Sequence, residues 1–262
     1  MKAETSSDPS ASRSRFNELL RKSEEKSGSK VILALDLHYR KSTENLLADS
    51  LSILDQVSDF VCAVKINFHL IIPLSIQEIF RVNELVHSKG LVSIADIKLN
   101  DIDNTNEIAT RYLWDSGFDG VIVNPFVGFK GSLDIVYKTC HSAGKGVISL
   151  AYMSHPGADE GFGIETKDGH TFFDLMLDRA NEWGSDGVIL GSTRSDKIRQ
   201  ARAKLNKSIK IISPGSGAQG GDPIESLKSG TDYLIYGRLI VSAPKPSEAA
   251  RQIYEKLKKL PA

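Results

Sequence analysis

From residue 31 the chain alternates between two textures. Short apolar, largely β-branched runs recur at VILALDL (31–37), VCAVKINF (61–68), LVSIADI (91–97), GVIVNPF (120–126), GVISLAYM (146–153), GVIL (187–190), IKIIS (209–213) and DYLIYGR (232–238). The segments between them carry apolar residues at helical spacing, as in Leu46, Leu47, Leu51 and Leu54, or Ile76, Ile79, Phe80 and Leu85. Continuous apolar strands alternating with such segments predict a parallel sheet covered by helices. Eight β/α units in about 230 residues predict one α/β domain, a closed (β/α)8 TIM barrel, and the count of eight favours closure over an open doubly wound sheet. The same spacing adds an extra N-terminal helix over 15–25 and a closing helix over 247–257. The polar, Ser-rich stretch 1–14 reads as a disordered extension to a barrel domain spanning 15–262. The longest irregular piece, 154–169, follows the fifth strand and so falls on the C-terminal face, where this fold carries its chemistry.

Composition narrows the class. Of 262 residues 40% are hydrophobic and 25% charged, enough apolar residues for a large core. Lys+Arg and Asp+Glu number 33 each, so the chain has no global basic field and no nucleic-acid partner is expected. No apolar run approaches the ~18 residues of a membrane span, and the N-terminus lacks the apolar core of a signal peptide. The two cysteines, Cys62 and Cys140, lie in apolar patterns without C-x-x-C spacing, which predicts buried thiols in a reducing, cytoplasmic compartment. Trp114 and Trp183 read as packing residues at helix ends. No His/Cys/Asp cluster has metal-ligand spacing. His87 and His141 fall on helices, His38 follows a strand at the functional face and could line the site, and His155 reads as structural.

Charge gathers at the C-terminal ends of the strands. Asp36 closes the first, Lys65 sits late in the second, Asp96 and Lys98 close the third, and Arg238 closes the eighth. Side chains alternate along a strand, so Asp96 and Lys98 share a direction with Val92 and Ile94. If that direction is inward, Asp36, Lys65, Asp96 and Lys98 converge at one mouth of the barrel, their alternating signs offsetting the desolvation of each. The bland alternative is an inert ion-pair network. A lysine between carboxylates keeps its proton, because negative neighbours favour the ammonium. It suits a general acid or an electrostatic partner of a developing carbanion better than a Schiff-base nucleophile. The chemistries consistent with this are decarboxylation, aldol cleavage and enolisation.

The second half carries a phosphate-site pattern. SPGSGAQGGDP (213–223) follows the seventh strand and YGR (236–238) ends the eighth. Glycine N–H groups, a helix starting near Asp222 and the forked guanidinium of Arg238 are the expected anion donors. Gly215, Gly217 and Gly220 also spell G-x-G-x-x-G. Only one strand follows, however, and it ends in arginine instead of supplying the acidic residue of a dinucleotide site.

Together these residues resemble orotidine 5′-phosphate decarboxylase, most of all its archaeal branch. The likeness spans Asp36 to Arg238 and rests on ALD (34–36), Lys65, D-x-K-x-x-D-I with NTN (96–106), MSHPGA (153–158), GAQGGDP (217–223) and GR (237–238). The resemblance implies decarboxylation of orotidine 5′-monophosphate to uridine 5′-monophosphate, the last step of de novo pyrimidine synthesis, without metal or organic cofactor. It implies that Lys98 protonates C6 of the pyrimidine and that Asp96 holds Lys98 beside the departing carboxylate. Asp36 and Lys65 would bind ribose hydroxyls, with Lys65 completing the catalytic array. It also implies a homodimer in which Asp101 and Thr105 reach the partner's site. Ser154 would bond the pyrimidine edge. Gln219, Gly237 and Arg238 would hold the phosphate with backbone from Pro214 through Gly215, Gly220 and Gly221. Asn100 and Asp103 depart from the pattern, and Asp103 reads as an N-cap of the following helix. Two rivals remain. A metal-dependent sugar-phosphate lyase of the same superfamily typically carries an acidic residue near the end of strand two, where this chain has Lys65. A barrel that only binds nucleotides would have lost Lys98 or an aspartate.

Overall fold

The computed structural model describes residues 9–39, 44–217 and 220–259. Eight parallel strands, β1 (Val31–Ala34), β2 (Ala63–Asn67), β3 (Val92–Leu99), β4 (Gly120–Val123), β5 (Gly146–Tyr152), β6 (Gly187–Leu190), β7 (Lys210–Pro214) and β8 (Tyr233–Tyr236), close in sequence order into a barrel. The (β/α)8 expectation holds. The helices are α1 (Pro9–Ser27), α2 (Leu46–Val57), α3 (Phe68–Ile71), α4 (Ile76–Ser88), α5 (Asp103–Asp115), α6 (Asp134–Ser142), α7 (Ala158–Phe162), α8 (Phe172–Trp183), α9 (Ser195–Lys204), α10 (Pro223–Lys228), α11 (Arg238–Val241) and α12 (Pro246–Lys258). The expected N-terminal helix is present as α1 and begins at Pro9, ahead of residue 15. The rest of the expected extension, residues 1–8, lies outside the described residues.

Strand alternation sorts the core into two layers. Leu33, Val64, Ala95, Val121 and Val147 face outward into the helix layer, while Ile32, Ala63, Ile94, Ile122, Ile148, Ile189, Ile212 and Ile235 fill the barrel. Burying such side chains supplies about 1.5–3 kcal/mol each, which makes this double layer the main stabilising term. Helix α1 closes the N-terminal end. Phe16 and Leu20 enter the inner cluster, Ser23 Oγ donates to the Cys62 carbonyl, and Tyr233 donates to Glu24. The Phe16 ring lies where side chains on β4 and β5 would point. A Cβ added at Gly146 would stand 2.3 Å from the ring and one at Gly120 2.8 Å, so both positions require glycine.

Three aspartates repeat one device at this closed end. Asp119, Asp186 and Asp232 each precede an even-numbered strand. Each accepts from the backbone N–H of an odd-numbered neighbour, Ser93 at 3.0 Å, Val147 at 2.9 Å and Ile211 at 2.8 Å. Each also donates its own N–H to that residue's carbonyl. These pairs fix the strand starts and leave the opposite, C-terminal mouth to carry function.

The thiols of Cys62 and Cys140 are buried and unpaired, as expected. Trp183 packs against Phe129 and Tyr137, again as expected. His38, which follows β1, does not line the cavity at the C-terminal mouth; it is exposed and bonds Ser242 Oγ at 2.8 Å. Asp103 is the first residue of α5, and Ile102 occupies the N-cap position without a side-chain cap bond. No helix among the described residues is long and apolar enough to cross a membrane.

Candidate active site

A cavity of about 220 Å³ opens at the C-terminal mouth. Its floor is the top layer of barrel side chains, Ile122, Leu150, Ile189 and Ile235, with Met153 beside them. One wall is charged. Lys65 Nζ bonds one oxygen of Asp96 at 2.7 Å, and Lys98 Nζ bonds the other at 2.7 Å. Asp36 stands 3.6 Å from Lys65. The expected convergence of Asp36, Lys65, Asp96 and Lys98 at one mouth is therefore found.

Strand β3 achieves this with a distortion. Against β4, Ala95 pairs with Val121 and Leu99 with Val123, so β3 takes four steps where its neighbour takes two. Two extra residues preserve the in–out parity, so Ile97 and Leu99 still face the outer layer. The excess is accommodated around Lys98, which alone among the described non-glycine residues has positive φ, at 47°. A lysine there carries about 1 kcal/mol of backbone strain, and such strain gathers at functional positions.

The side chains of Lys65 and Asp96 are nearly enclosed, while those of Lys98 and Asp36 are partly open to the mouth. Burial pushes the Asp96 carboxyl up, but the charges and hydrogen bonds of Lys65 and Lys98 outweigh it and hold the group below the ordinary carboxylate range. Asp96 is thus ionised at neutral pH with both oxygens engaged by ammonium groups. By contrast, Oδ1 of Asp36 and Oδ1 of Asn67 are buried without a hydrogen-bond partner. Orphaned acceptors at a cavity wall call for donors from a ligand, and hydroxyl groups supply them.

The rest of the lining includes Ser154, Pro214, Gly215, Ser216, Gly237 and Arg238. Among the described residues the exposed guanidinium of Arg238 has no carboxylate partner. The rest of the expected anion cradle is differently arranged. The N–H groups of Gly217, Gly220 and Gly221 bond carbonyls within the loop itself, so they do not point free into the cavity. Asp222 caps α10, as its place before Pro223 suggests, and accepts from the Ile224 N–H at 2.8 Å and the Glu225 N–H at 3.4 Å. A carboxylate therefore already occupies the helix end that was expected to receive an anion. Gly220 and Gly221 do not line the cavity, and Gln219 lies outside the described residues.

Asp101 and Thr105 are exposed and do not line the cavity. The Asp101 backbone is nevertheless tightly held. Its N–H donates to Asn106 Oδ1 at 3.1 Å, and its carbonyl accepts from Asn106 at 2.6 Å and Ser132 at 2.7 Å. Sequence reasoning missed Asn67, which lines the cavity and approaches Asp96 Oδ2 at 3.4 Å. It lies two residues beyond Lys65 on the same strand, so the alternation that placed Lys65 would have placed it too.

Comparison with known proteins adds a consistent set of relatives. Residues 29–253 match the sequence model of the orotidine 5′-phosphate decarboxylase / HUMPS family. The orotidine 5′-phosphate decarboxylase of Pyrococcus furiosus is 41% identical over 228 residues, covering 87% of this chain and 97% of that protein. The crystal structure of orotidine 5′-phosphate decarboxylase from Pyrococcus horikoshii superposes with a TM-score of 0.72 at 35% identity, covering 88% of this chain and 100% of that one. The Methanocaldococcus jannaschii orotidine 5′-monophosphate decarboxylase, solved in complex with the inhibitor BMP, gives a TM-score of 0.76 at 29% identity over 88% of this chain and 99% of that one.

Proposed function

The chain belongs to the orotidine 5′-phosphate decarboxylase / HUMPS family, and we propose that it converts orotidine 5′-monophosphate to uridine 5′-monophosphate and CO2 in pyrimidine biosynthesis. The observation that carries this reading is the Asp36–Lys65–Asp96–Lys98 array over an apolar floor, with both Asp96 oxygens held by ammonium groups at 2.7 Å. Lys65 stands in place of the acidic residue that a metal-dependent branch typically carries near the end of strand two, and Lys65 and Lys98 together engage both carboxylate oxygens of Asp96.

The chemistry follows from charge placement. The bond from C6 to the substrate carboxylate breaks and leaves its electron pair on C6. Lys98 transfers a proton to that carbon and is reprotonated from solvent through the open mouth. Water would stabilise the carbanion poorly, whereas a fixed ammonium needs no reorganisation when the charge develops. Accelerations of this kind extend to about 10¹⁷-fold, roughly 23 kcal/mol, so one array does not supply the whole. Binding energy from ribose and phosphate supplies part of the remainder by fixing the base. Asp36 and Asn67 offer to ribose hydroxyls the oxygens that lack a hydrogen-bond partner, and Ser154 meets the pyrimidine edge. Arg238, with Gly215 and Gly237, receives the phosphate, joined by Gln219.

We further propose a homodimer. Successive elements present an exposed apolar face, with Phe68 and Ile72 from the α3 region, Phe80 on α4, and Ile108 and Tyr112 on α5. Asp101 and Thr105 sit at the α5 edge of that face, placed to enter a partner's cavity. Sedimentation should give a dimer at micromolar concentration, and a stable monomer with full activity would rule this arrangement out. The buried, unpaired cysteines accord with a cytoplasmic location.

The direct test is loss of the orotate absorbance when the protein meets orotidine 5′-monophosphate in EDTA. No loss from folded protein would remove the assignment. Arg238→Ala should raise KM about 10–100-fold, the worth of a charge-assisted contact, with a smaller change in kcat. Orotidine, which lacks the phosphate, should be handled equally by variant and wild type. An equal loss on both compounds would place Arg238 outside the phosphate site.

A further inference from the structure

The segment that carries Ser154 is held from behind by groups that do not touch the cavity. Against β6, Leu150 of β5 pairs with Ile189 and Tyr152 with Leu190, so β5 takes two steps where β6 takes one. The bulge turns Ala151 and Tyr152 together into the outer layer, against Phe173 and Met176, and leaves Met153 and Ser154 lining the cavity. Bulges next to active sites commonly re-aim a side chain in this way.

Tyr152 is fully buried, yet its hydroxyl is satisfied twice. It donates to Asp159 on α7 and accepts from Arg194 Nη1 at 2.9 Å. Arg194, from the connection after β6, also bonds Asp159 at 2.8 Å, and its guanidinium stacks 5.0 Å from the Tyr152 ring centroid. The backbone completes the link: Gly191 N–H donates to the Tyr152 carbonyl and Arg194 N–H to the Gly191 carbonyl. Gly191 is also the seat of Ser154. A Cβ there would stand 2.8 Å from both Cα and Cβ of Ser154, so any side chain would push the serine out of place.

An exposed Arg–Asp pair alone is worth little. Here both charges also satisfy a buried phenol, and releasing it would leave a polar group unpaired in the core. We propose that Tyr152, Asp159 and Arg194 form a latch fixing residues 153–162 over the cavity, so that Tyr152 and Arg194 are positioning residues for recognition of the pyrimidine through Ser154. The functional half of this proposal rests on the decarboxylase reading above, whereas the latch itself does not.

Two variants separate the halves. Tyr152→Phe removes the hydroxyl and keeps the buried ring, and Arg194→Met keeps the stem and removes the guanidinium. Hydrogen exchange should speed up about 10-fold or more across 153–162 in both, as local opening becomes easier, with little change in the barrel strands. Unchanged exchange overturns the latch whether or not the protein is a decarboxylase. In kinetics, kcat/KM for orotidine 5′-monophosphate should fall about 10–100-fold, chiefly through KM, while inhibition by inorganic phosphate stays as in wild type. Combined with Ser154→Ala, neither variant should add more than about twofold, because both act through the same serine. Full additivity overturns the route through Ser154. Faster exchange in a wild-type background that never decarboxylates would leave the latch standing and remove the functional reading.

Discussion

Lys98→Ala should lower kcat/KM for orotidine 5′-monophosphate by at least about 10⁴-fold while leaving the barrel folded. A positioned proton donor contributes about 10²–10⁴, and a charge aimed at a developing carbanion contributes a further factor of similar size. Folding should survive because Asp96 keeps its 2.7 Å bond to Lys65. The Lys98 side chain is also partly open to solvent, so its removal leaves no closed void. The backbone supplies a second readout. Alanine inherits the φ of 47° that lysine tolerates here, whereas glycine adopts it freely. Lys98→Gly should therefore be as inactive as Lys98→Ala but more stable by about 1 kcal/mol. That ordering would identify the strain as something retained for the position of the ammonium. Turnover within tenfold of wild type in Lys98→Ala would exclude the lysine as proton donor.

The charged wall was legible because two simple periodicities apply. Apolar runs located the strands, and alternation aimed Asp96 and Lys98 inward with Ile94. The β3 bulge was not legible. Nothing in VSIADIKL marks a residue at positive φ, since glycine or asparagine is the usual signal and lysine is not. The phosphate side was less legible. A glycine-rich loop suggests free N–H donors, but Gly217, Gly220 and Gly221 use their N–H groups to close the loop. Asp222 directly before Pro223 was itself the sign of a capped helix end. Sequence reasoning missed the recurrence in FDGVIV, SDGVIL and TDYLIY of an aspartate one residue before a strand, the three groups that lock strand starts. The Tyr152–Arg194 contact joins residues 42 apart and has no local signature. Asp101 and Thr105 show the remaining limit. The role proposed for them lies between two chains, and one chain displays only a held backbone and an exposed carboxylate.

Asp96→Asn should have the second largest effect, reducing kcat by about 10³-fold or more with KM nearly unchanged. The array holds two carboxylates, Asp36 and Asp96, and two ammoniums, Lys65 and Lys98, so it is neutral overall. Removing the central charge leaves Lys65 with Asp36 at 3.6 Å and Lys98 with no ionic partner. Breaking a buried pair this way costs about 3–5 kcal/mol of stability at neutral pH. Burial alone would raise the Asp96 carboxyl, but Lys65 and Lys98 outweigh it and hold it low. Its folded pKa therefore lies below the unfolded value of about 3.9, and the unfolded chain takes up the proton first as pH falls. The stabilisation is fully present above the unfolded pKa and is lost as pH drops through the folded one. Urea unfolding should show the gap between wild type and Asp96→Asn narrowing below about pH 4, and a gap unchanged down to pH 3 would contradict the linkage. The kinetic split tests what the carboxylate does to substrate. On the proposed function, the two ammonium groups bonded to its oxygens offset its repulsion of the substrate carboxylate, and Asp96 is expected chiefly to hold Lys98 in line with C6. That requires kcat to fall alone. A parallel fall in KM would show instead that Asp96 strains the bound substrate.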